Sequence, residues 1–598
     1  MRRRPFAIRT LAASVLGAAA AMFAAWLPAP PAAATGAPLT TSDVTQLVSR
    51  CVALSRRAPG RPKLAIAIVD AEGNSLGVFR MAGSSTDAVA AALAKAGTGA
   101  YFSSDEQTFS TRTAAFIIQD HFPPGVRFQP GGPLYGVEFS SLATTDVNRI
   151  FYPPFPAARG AEEKETRVRG DLGGIGLYRN GRRVGGLGID DGDTRKRISI
   201  PPVVFPGGNC RADYRLTFSN MERGRVLEEI ALAAARGWLA PAPIRSDRIL
   251  VGGIRLPYSK GTRLAPRSAA TVVPGVDGEW DEDFPLRPAA SMTSRFEDFT
   301  LDPPAGAGPG APNFLGQVPL AFPVRSSAAP GGLTGDDVRR ILWQGAQRAD
   351  VTRGAIRRPI GLPMQCWICV ADVQGELLGA FRFAGDTTLF SFDVAAQKAR
   401  TAAFFSDERA AFSTRAVGLL AQAFYPAGQQ GAGRGPLFQL QDGLSVGLLG
   451  GAFGAPMPAE IARVRNGITI FPGGVPLYRD GVLVGGVGVS GDGVDQDDIV
   501  ADFASRGFGA PREIRCDGLD GAQVKAALGR ALARIGDAAG PDPGPGVCGV
   551  GLPLTAPASS FFHARLADAQ RTLRDTPLET ALPYTRFPRH PGPVTIRR

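Results

Sequence analysis

The chain has 598 residues, with 66 Lys and Arg against 54 Asp and Glu and a formal charge of +12. That length is too great for one hydrophobic core, and 44% hydrophobic with 20% charged residues is a globular composition. Glycine (75) and proline (50) are abundant but short of the collagen-like or disordered range, which predicts long loops around compact cores. No basic stripe interleaved with aromatics points to nucleic acid, so the net charge reads as a soluble cationic surface.

The first 34 residues read as a secretory signal. Arg2, Arg3, Arg4 and Arg9 precede the unbroken apolar run Leu11–Leu27, and small residues follow up to Ala34. Arg3-Arg4-Pro5-Phe6 partly resembles a twin-arginine export signal, without the usual polar residue before the pair. The alternative is a retained anchor, but seventeen apolar residues reach only about 25 Å, slightly short of the hydrocarbon core. A periplasmic or secreted protein is expected, with cleavage near Ala34 and no stable membrane span afterwards.

Residues 38–250 form the first predicted domain. A helix begins near Leu39–Asp43, a strand ends at Asp70, and the Gly-containing turn 71–74 leads into a strand over Leu76–Met81. An alanine-rich helix over Asp87–Phe102, a long loop and a hairpin through Leu177-Tyr-Arg-Asn-Gly181 follow. The same order returns over 331–540. A helix begins near Leu333–Asp337, and a strand ends at Asp372. The turn 373–376, a strand over Leu377–Phe383 and a helix over Phe392–Phe405 come next. A hairpin turning at Asp480-Gly481 and a last helix near Asp495–Arg506 complete the unit.

The two regions are copies. Asp70 and Asp372 lie 302 positions apart, Phe109-Ser-Thr-Arg112 and Phe412-Ser-Thr-Arg415 lie 303 apart, and Leu177 and Leu477 lie 300 apart. Arg236-Gly237 and Arg506-Gly507 are only 270 apart, so copy 1 carries about 30 extra residues near Asp191–Asn220, including Cys210. Between the copies, 251–330 is rich in proline and glycine and reads as a linker; 541–598 reads as a spacer and a helical tail. Helices beside hairpins make each copy an α+β unit, an antiparallel sheet with helices against it.

Six cysteines permit disulfides in an exported chain, with Cys516–Cys548 the favoured pair. Cys366-Trp-Ile-Cys369 lies in a strand run, where residues three apart point to opposite faces, so it reads as structural rather than redox-active. Ser/His/Asp, metal and P-loop signatures are missing. The three histidines, His121, His563 and His590, are not shared between copies, so no common histidine base or zinc site is expected, and an enzyme is the less favoured class.

Three strings of copy 2 carry a resemblance: Val370-Ala-Asp-Val-Gln-Gly-Glu-Leu-Leu-Gly-Ala-Phe-Arg-Phe, Gln397-Lys-Ala-Arg-Thr-Ala-Ala403, and Gly473-Gly-Val-Pro-Leu-Tyr-Arg-Asp-Gly-Val-Leu-Val-Gly-Gly-Val-Gly-Val-Ser-Gly491. They resemble the GlcG/HbpS-like family, which includes extracytoplasmic haem-binding proteins; copy 1 matches more loosely. The resemblance implies two tandem profilin-like domains, assembly into oligomers, and an internal pseudo-dimer formed by the fused copies. It also implies haem as a possible ligand. Haem-holding members often have a histidine just after the glycine of the first turn, where this chain has Asn74 and Glu376. Docking would then use the apolar face of haem and its propionates. Arg80, Lys95, Arg112, Arg382, Lys398, Arg400 and Arg415 are the candidate carboxylate partners, ordinary salt bridging being the alternative. Copy 2 is expected to be the better site, because Gly97 stands in copy 1 where copy 2 has Arg400. The expected function is an exported, non-enzymatic protein that binds haem or another flat, carboxylate-bearing small molecule. The alternative is an accessory assembly module of an exported redox or transport system, with no such ligand.

Overall fold

A computed structural model describes residues 36–135, 169–196, 218–265, 269–292, 295–383, 389–444, 458–539, 557–578 and 582–585, with isolated residues such as Asp146 and short strands within 199–216. The leader, His590 and Cys548 lie outside the described residues.

Copy 1 opens with α1 (Thr41–Ser55), whose Thr40 and Asp43 form a reciprocal capping box. Strands β1 (Ala65–Asp70) and β2 (Ser75–Met81) make a hairpin. Asp70 organises its turn, its carboxylate accepting the Glu72 and Asn74 amides at 2.9 Å each. Helices α2 (Asp87–Tyr101) and α3 (Thr111–Ile117) follow, then strands β3 (Gly174–Arg179) and β4 (Arg182–Asp190). Asn180 and Gly181 join these strands, both at positive φ, as a tight hairpin requires. The extra residues of copy 1 contain two small strand pairs, β5 (Ser199–Ile200) with β8 (Arg215–Leu216) and β6 (Val203–Val204) with β7 (Cys210–Arg211). Helix α4 (Arg225–Ala234) closes the copy.

The proline- and glycine-rich region 251–330 is more than a linker, which corrects the sequence expectation. It begins within the small hairpin of β9 (Leu250–Val251) and β10 (Ile254–Arg255) and then gives an edge strand to each sheet. Strand β11 (Gly278–Trp280) pairs with β2, and the hairpin of β12 (Phe296–Leu301) and β13 (Phe314–Pro319) pairs with the second copy. Its prolines and glycines fall largely between these short strands, where a turn needs them and a ladder does not.

Copy 2 repeats the plan with α5 (Gly335–Asp350), β14 (Cys366–Asp372), β15 (Leu377–Phe383), α6 (Leu389–Phe404), α7 (Thr414–Leu420), the short helices α8 (Leu440–Leu444) and α9 (Ala459–Ala462), β16 (Gly474–Arg479), β17 (Val482–Gly491) and α10 (Val494–Ala504). Sheet orders are β11-β2-β1-β4-β3 and β12-β13-β15-β14-β17-β16, antiparallel throughout. This is the expected α+β architecture, twice. Helix α11 (Gly521–Ala539) follows, and the tail helix α12 (Pro557–Asp575) docks back on copy 2, burying Phe562, Leu566, Ala569 and Leu573 in its core.

Matching glycines of the second hairpin, Gly188 and Gly488, share one cause. A Cβ on Gly488 would lie 2.0 Å from the Ala395 carbonyl oxygen, and one on Gly188 would lie 2.1 Å from that of Ala92. Helices α2 and α6 therefore rest directly on the strand backbone, which only glycine on the strand and alanine on the helix allow. The copies meet beside these two helices. Phe102 stands edge-on to Phe390 at 4.9 Å between ring centroids, and Tyr101 joins the cluster of Trp367 and Phe392.

Candidate functional site

The seven predicted cationic residues do not converge on one cleft. The structure distributes them among internal ion pairs, several of them matched between copies. Lys95 Nζ donates to Asp190 Oδ2 at 2.5 Å and to the Ile189 carbonyl at 3.2 Å. Lys398 Nζ makes the equivalent pair of contacts, to Asp497 Oδ2 and the Val489 carbonyl, both at 2.7 Å. Each lysine staples the helix above the sheet to the last strand. Burial pushes Asp497 up to about 7 against the pull of Lys398. Arg112 grips Glu228 through two nitrogens and reaches Glu222 at 2.7 Å. Arg415 likewise holds two acids, donating Nε to Asp498 and a terminal nitrogen to Asp495 at 2.8 Å. Arg80, on the outer part of its sheet, pairs with Asp281 at 3.2 Å.

Two of these seven cross between the copies. Arg382 donates to Glu72 of copy 1 at 3.0 Å, to Gln317 at 2.8 Å and to the Thr387 carbonyl at 3.0 Å. Its guanidinium carbon lies 4.3 Å from the Phe296 ring centre and 5.2 Å from that of Trp367, a stacked, largely dehydrated cation. Arg400 is fully buried. Its Nε donates to the Gly375 carbonyl at 2.6 Å, and its two terminal nitrogens hold both oxygens of Asp146, from copy 1. The partner is an acid of the other copy, 254 positions away in sequence. Burial alone would lower the Arg400 pKa; the Asp146 charge and hydrogen bonds outweigh it and hold it above the usual value. Beside them Asp393 Oδ1 accepts the Asp146 backbone N–H at 3.1 Å. Burial, followed by the Asp146 charge, pushes the Asp393 carboxyl up to about 8.

Asp146, Asp393 and Glu72 went unnoticed in the sequence. Asp393 carried a signal, being the one acid in an otherwise alanine- and aromatic-rich helix. Asp146 carried none, because its role depends on the packing of the two copies. In copy 1 the space matching Arg400 is taken differently. Gly97 leaves room for the Tyr101 ring, whose hydroxyl lies against the turn at Gly73, the counterpart of Gly375.

The residues do not fit an iron-ligated haem at the first-turn positions. The Asn74 amide is spent on Asp70 at 2.8 Å, and Glu376 pairs with Arg465 at 2.6 Å and with Arg325. His121 uses both ring nitrogens locally, on Asp120 and on the Gly125 amide. Nor is a redox pair present at Cys366 and Cys369. They point to opposite sides of β14, into separate cores, and burial raises both thiols well above their ordinary value. Cys516 is a buried free thiol near the Pro583 carbonyl, and its expected partner Cys548 is outside the described residues. Among the described residues no group of His, Cys, Asp and Glu could hold a metal ion, and no helix is long and apolar enough to cross a membrane.

Two solved structures resemble parts of the chain. One is the crystal structure of a PduOC–heme complex, 23% identical, covering 30% of this chain and 97% of that one, with a TM-score of 0.20. The other is the Klebsiella pneumoniae protein ORFY, 21% identical, covering 29% and 87%, with a TM-score of 0.19. No curated protein matches. The family described as haem degrading protein HbpS-like matches residues 39–192 and 349–505, one stretch in each copy and together more than half of the chain. The chain therefore belongs to the haem degrading protein HbpS-like family, as two tandem copies.

Proposed function

We propose that the protein is an exported, non-enzymatic accessory module, built from two fused copies of this family's domain, which assembles with an exported redox or transport system. One observation carries this reading. Six of the seven candidate cations already donate hydrogen bonds to the chain's own oxygens, the seventh, Arg80, lies 3.2 Å from Asp281, and two of the seven are spent joining the copies. A ligand would have to compete with buried, charge-assisted bonds to reach them. Export is supported by the charged, apolar and small-residue order of 1–34.

A second reading has its own support. Membership of the family through both copies favours haem, or another flat carboxylate-bearing small molecule, held by its apolar face without iron ligation. Titrating the full exported chain with haemin separates the two. No Soret shift at micromolar haemin is expected; a saturable shift would overturn the accessory reading and establish the second. Mass spectrometry of the same protein should give an N-terminus near Thr35, whereas an intact Met1 in the membrane fraction would refute export with cleavage.

A further inference from the structure

A four-residue string near the C-terminus repeats one that follows copy 1. Leu256-Pro257-Tyr258-Ser259 and Leu582-Pro583-Tyr584-Thr585 share three residues and then a hydroxyl. In both, the leucine and the tyrosine are buried. Their seats match. In copy 1 a shelf over Ile244–Ser246 pairs with Thr108, just before α3. The Thr108 amide donates to the Ile244 carbonyl at 2.8 Å, and the Ser246 amide to the Thr108 carbonyl at 2.9 Å. In copy 2 the shelf Ile514–Cys516 pairs with Ala411 in the same way, at 2.7 and 3.0 Å.

Each shelf holds its string by the proline carbonyl, which accepts Ser246 Oγ at 2.8 Å in copy 1 and Cys516 Sγ at 3.9 Å in copy 2. The preceding arginine lies over the tyrosine ring. The guanidinium carbon is 5.5 Å from the ring centre for Arg245 and Tyr258, and 4.2 Å for Arg515 and Tyr584. The start of the neighbouring helix closes the seat. Thr113 of α3 donates to the Pro257 carbonyl at 2.7 Å, and Ser413, the N-cap of α7, donates to the Tyr584 carbonyl.

The connections differ although the contacts agree. Pro257 follows Ser246 by 11 positions, whereas Pro583 follows Cys516 by 67, with α11 and α12 between them. A short connection could place its string by chain continuity alone. A connection that forms two helices of 19 residues each and returns to the matching atoms places its string by what the seat recognises. Burial of the leucine and the tyrosine ring supplies the attraction, and the proline holds the backbone in a narrow range, so docking orders little.

We propose that Leu-Pro-Tyr followed by serine or threonine is a docking motif, that the copy 2 seat binds it as a separate segment, and that Leu582–Thr585 is a detachable clasp. The partner that fits this seat is the tail of a second copy of the chain, which carries the motif at the end of a long connection.

Cys516 reports on the clasp, because its thiol is fully buried against Pro583. The test follows thiol labelling at each cysteine of the full chain by peptide mass spectrometry. Tyr584→Ala removes the buried ring and should speed Cys516 labelling by about tenfold or more, while Cys366 and Cys369 stay protected. A synthetic peptide of residues 579–588, standing for a second copy's tail, should restore protection saturably at millimolar concentration. A peptide of residues 253–262, carrying the copy 1 string, should do the same, and either peptide with its tyrosine changed to alanine should not. Unchanged Cys516 labelling in Tyr584→Ala would overturn the clasp. Cys366, Cys369 and Cys516 labelling together would overturn it too, by making the tail an inseparable part of the core. Failure of either unaltered peptide to protect would overturn docking of the motif as a separate segment.

Discussion

The two copies solve one electrostatic problem in two ways. Both put a lysine on the helix above the sheet and bond it to a carbonyl of the last strand, Ile189 or Val489. In copy 1 the counter-charge is on that strand, at Asp190; in copy 2 it is on the following helix, at Asp497. The alternative positions are vacated accordingly: Ser490 matches Asp190, and Leu227 matches Asp497. The buried cation and the need for an acid within reach are kept, while the element supplying the acid has moved. An unpaired ammonium in a sealed core costs several kcal/mol, so the lysine constrains the fold more tightly than does either aspartate position. The interface differs more deeply. Copy 2 needs a carboxylate from copy 1 to satisfy Arg400, whereas copy 1 fills the equivalent space with its own Tyr101.

The largest expected effect breaks the copies' dependence on each other. Arg400→Ala removes the guanidinium that holds both oxygens of the buried Asp146 and should cost about 3–5 kcal/mol. Chemical denaturation of the full chain measures this. Gly97→Ala in copy 1, a small change beside Tyr101, should cost far less. Equal losses at the two sites would mean that Arg400 is not the dominant tie.

A smaller net effect should sharpen the lysine comparison. Asp497→Leu gives copy 2 the residue that copy 1 has, and alone should cost about 3 kcal/mol by stranding Lys398. Adding Ser490→Asp rebuilds the copy 1 arrangement and should bring the loss to about 1 kcal/mol. The midpoint of thermal unfolding reports both. If the second substitution restores nothing, the two arrangements are not interchangeable.

Much of each copy was legible because its signals are local. The Asp-Gly and Asn-Gly turns, the capping positions at Thr40 and Thr334 and the alanine-rich helices fix elements over a few residues. The linker expectation failed because proline and glycine report turns, not the absence of strands, and strands as short as Gly278–Trp280 leave no period to detect. The tyrosine of Leu-Tyr-Arg was invisible as a tie, yet Tyr178 and Tyr478 both bond a carbonyl in the loop beyond their helix, Ser104 and Asp407.

The sequence by itself determined the duplication, the α+β plan of each copy and the family, because constant spacing and local backbone chemistry survive without knowledge of contacts. It also marked six of the seven cations, since a charge kept at matching positions in two copies is a recognisable pattern; Arg400, opposite Gly97, is the exception. What those charges do was decided only by tertiary structure. The partner of a buried cation is whichever acid the packing brings within about 3 Å, and here that acid lies as far away in sequence as Asp146 from Arg400 or Glu72 from Arg382. No local pattern encodes such a pair, because each acid is ordinary in its own segment and becomes a counter-ion only when the two copies close over it.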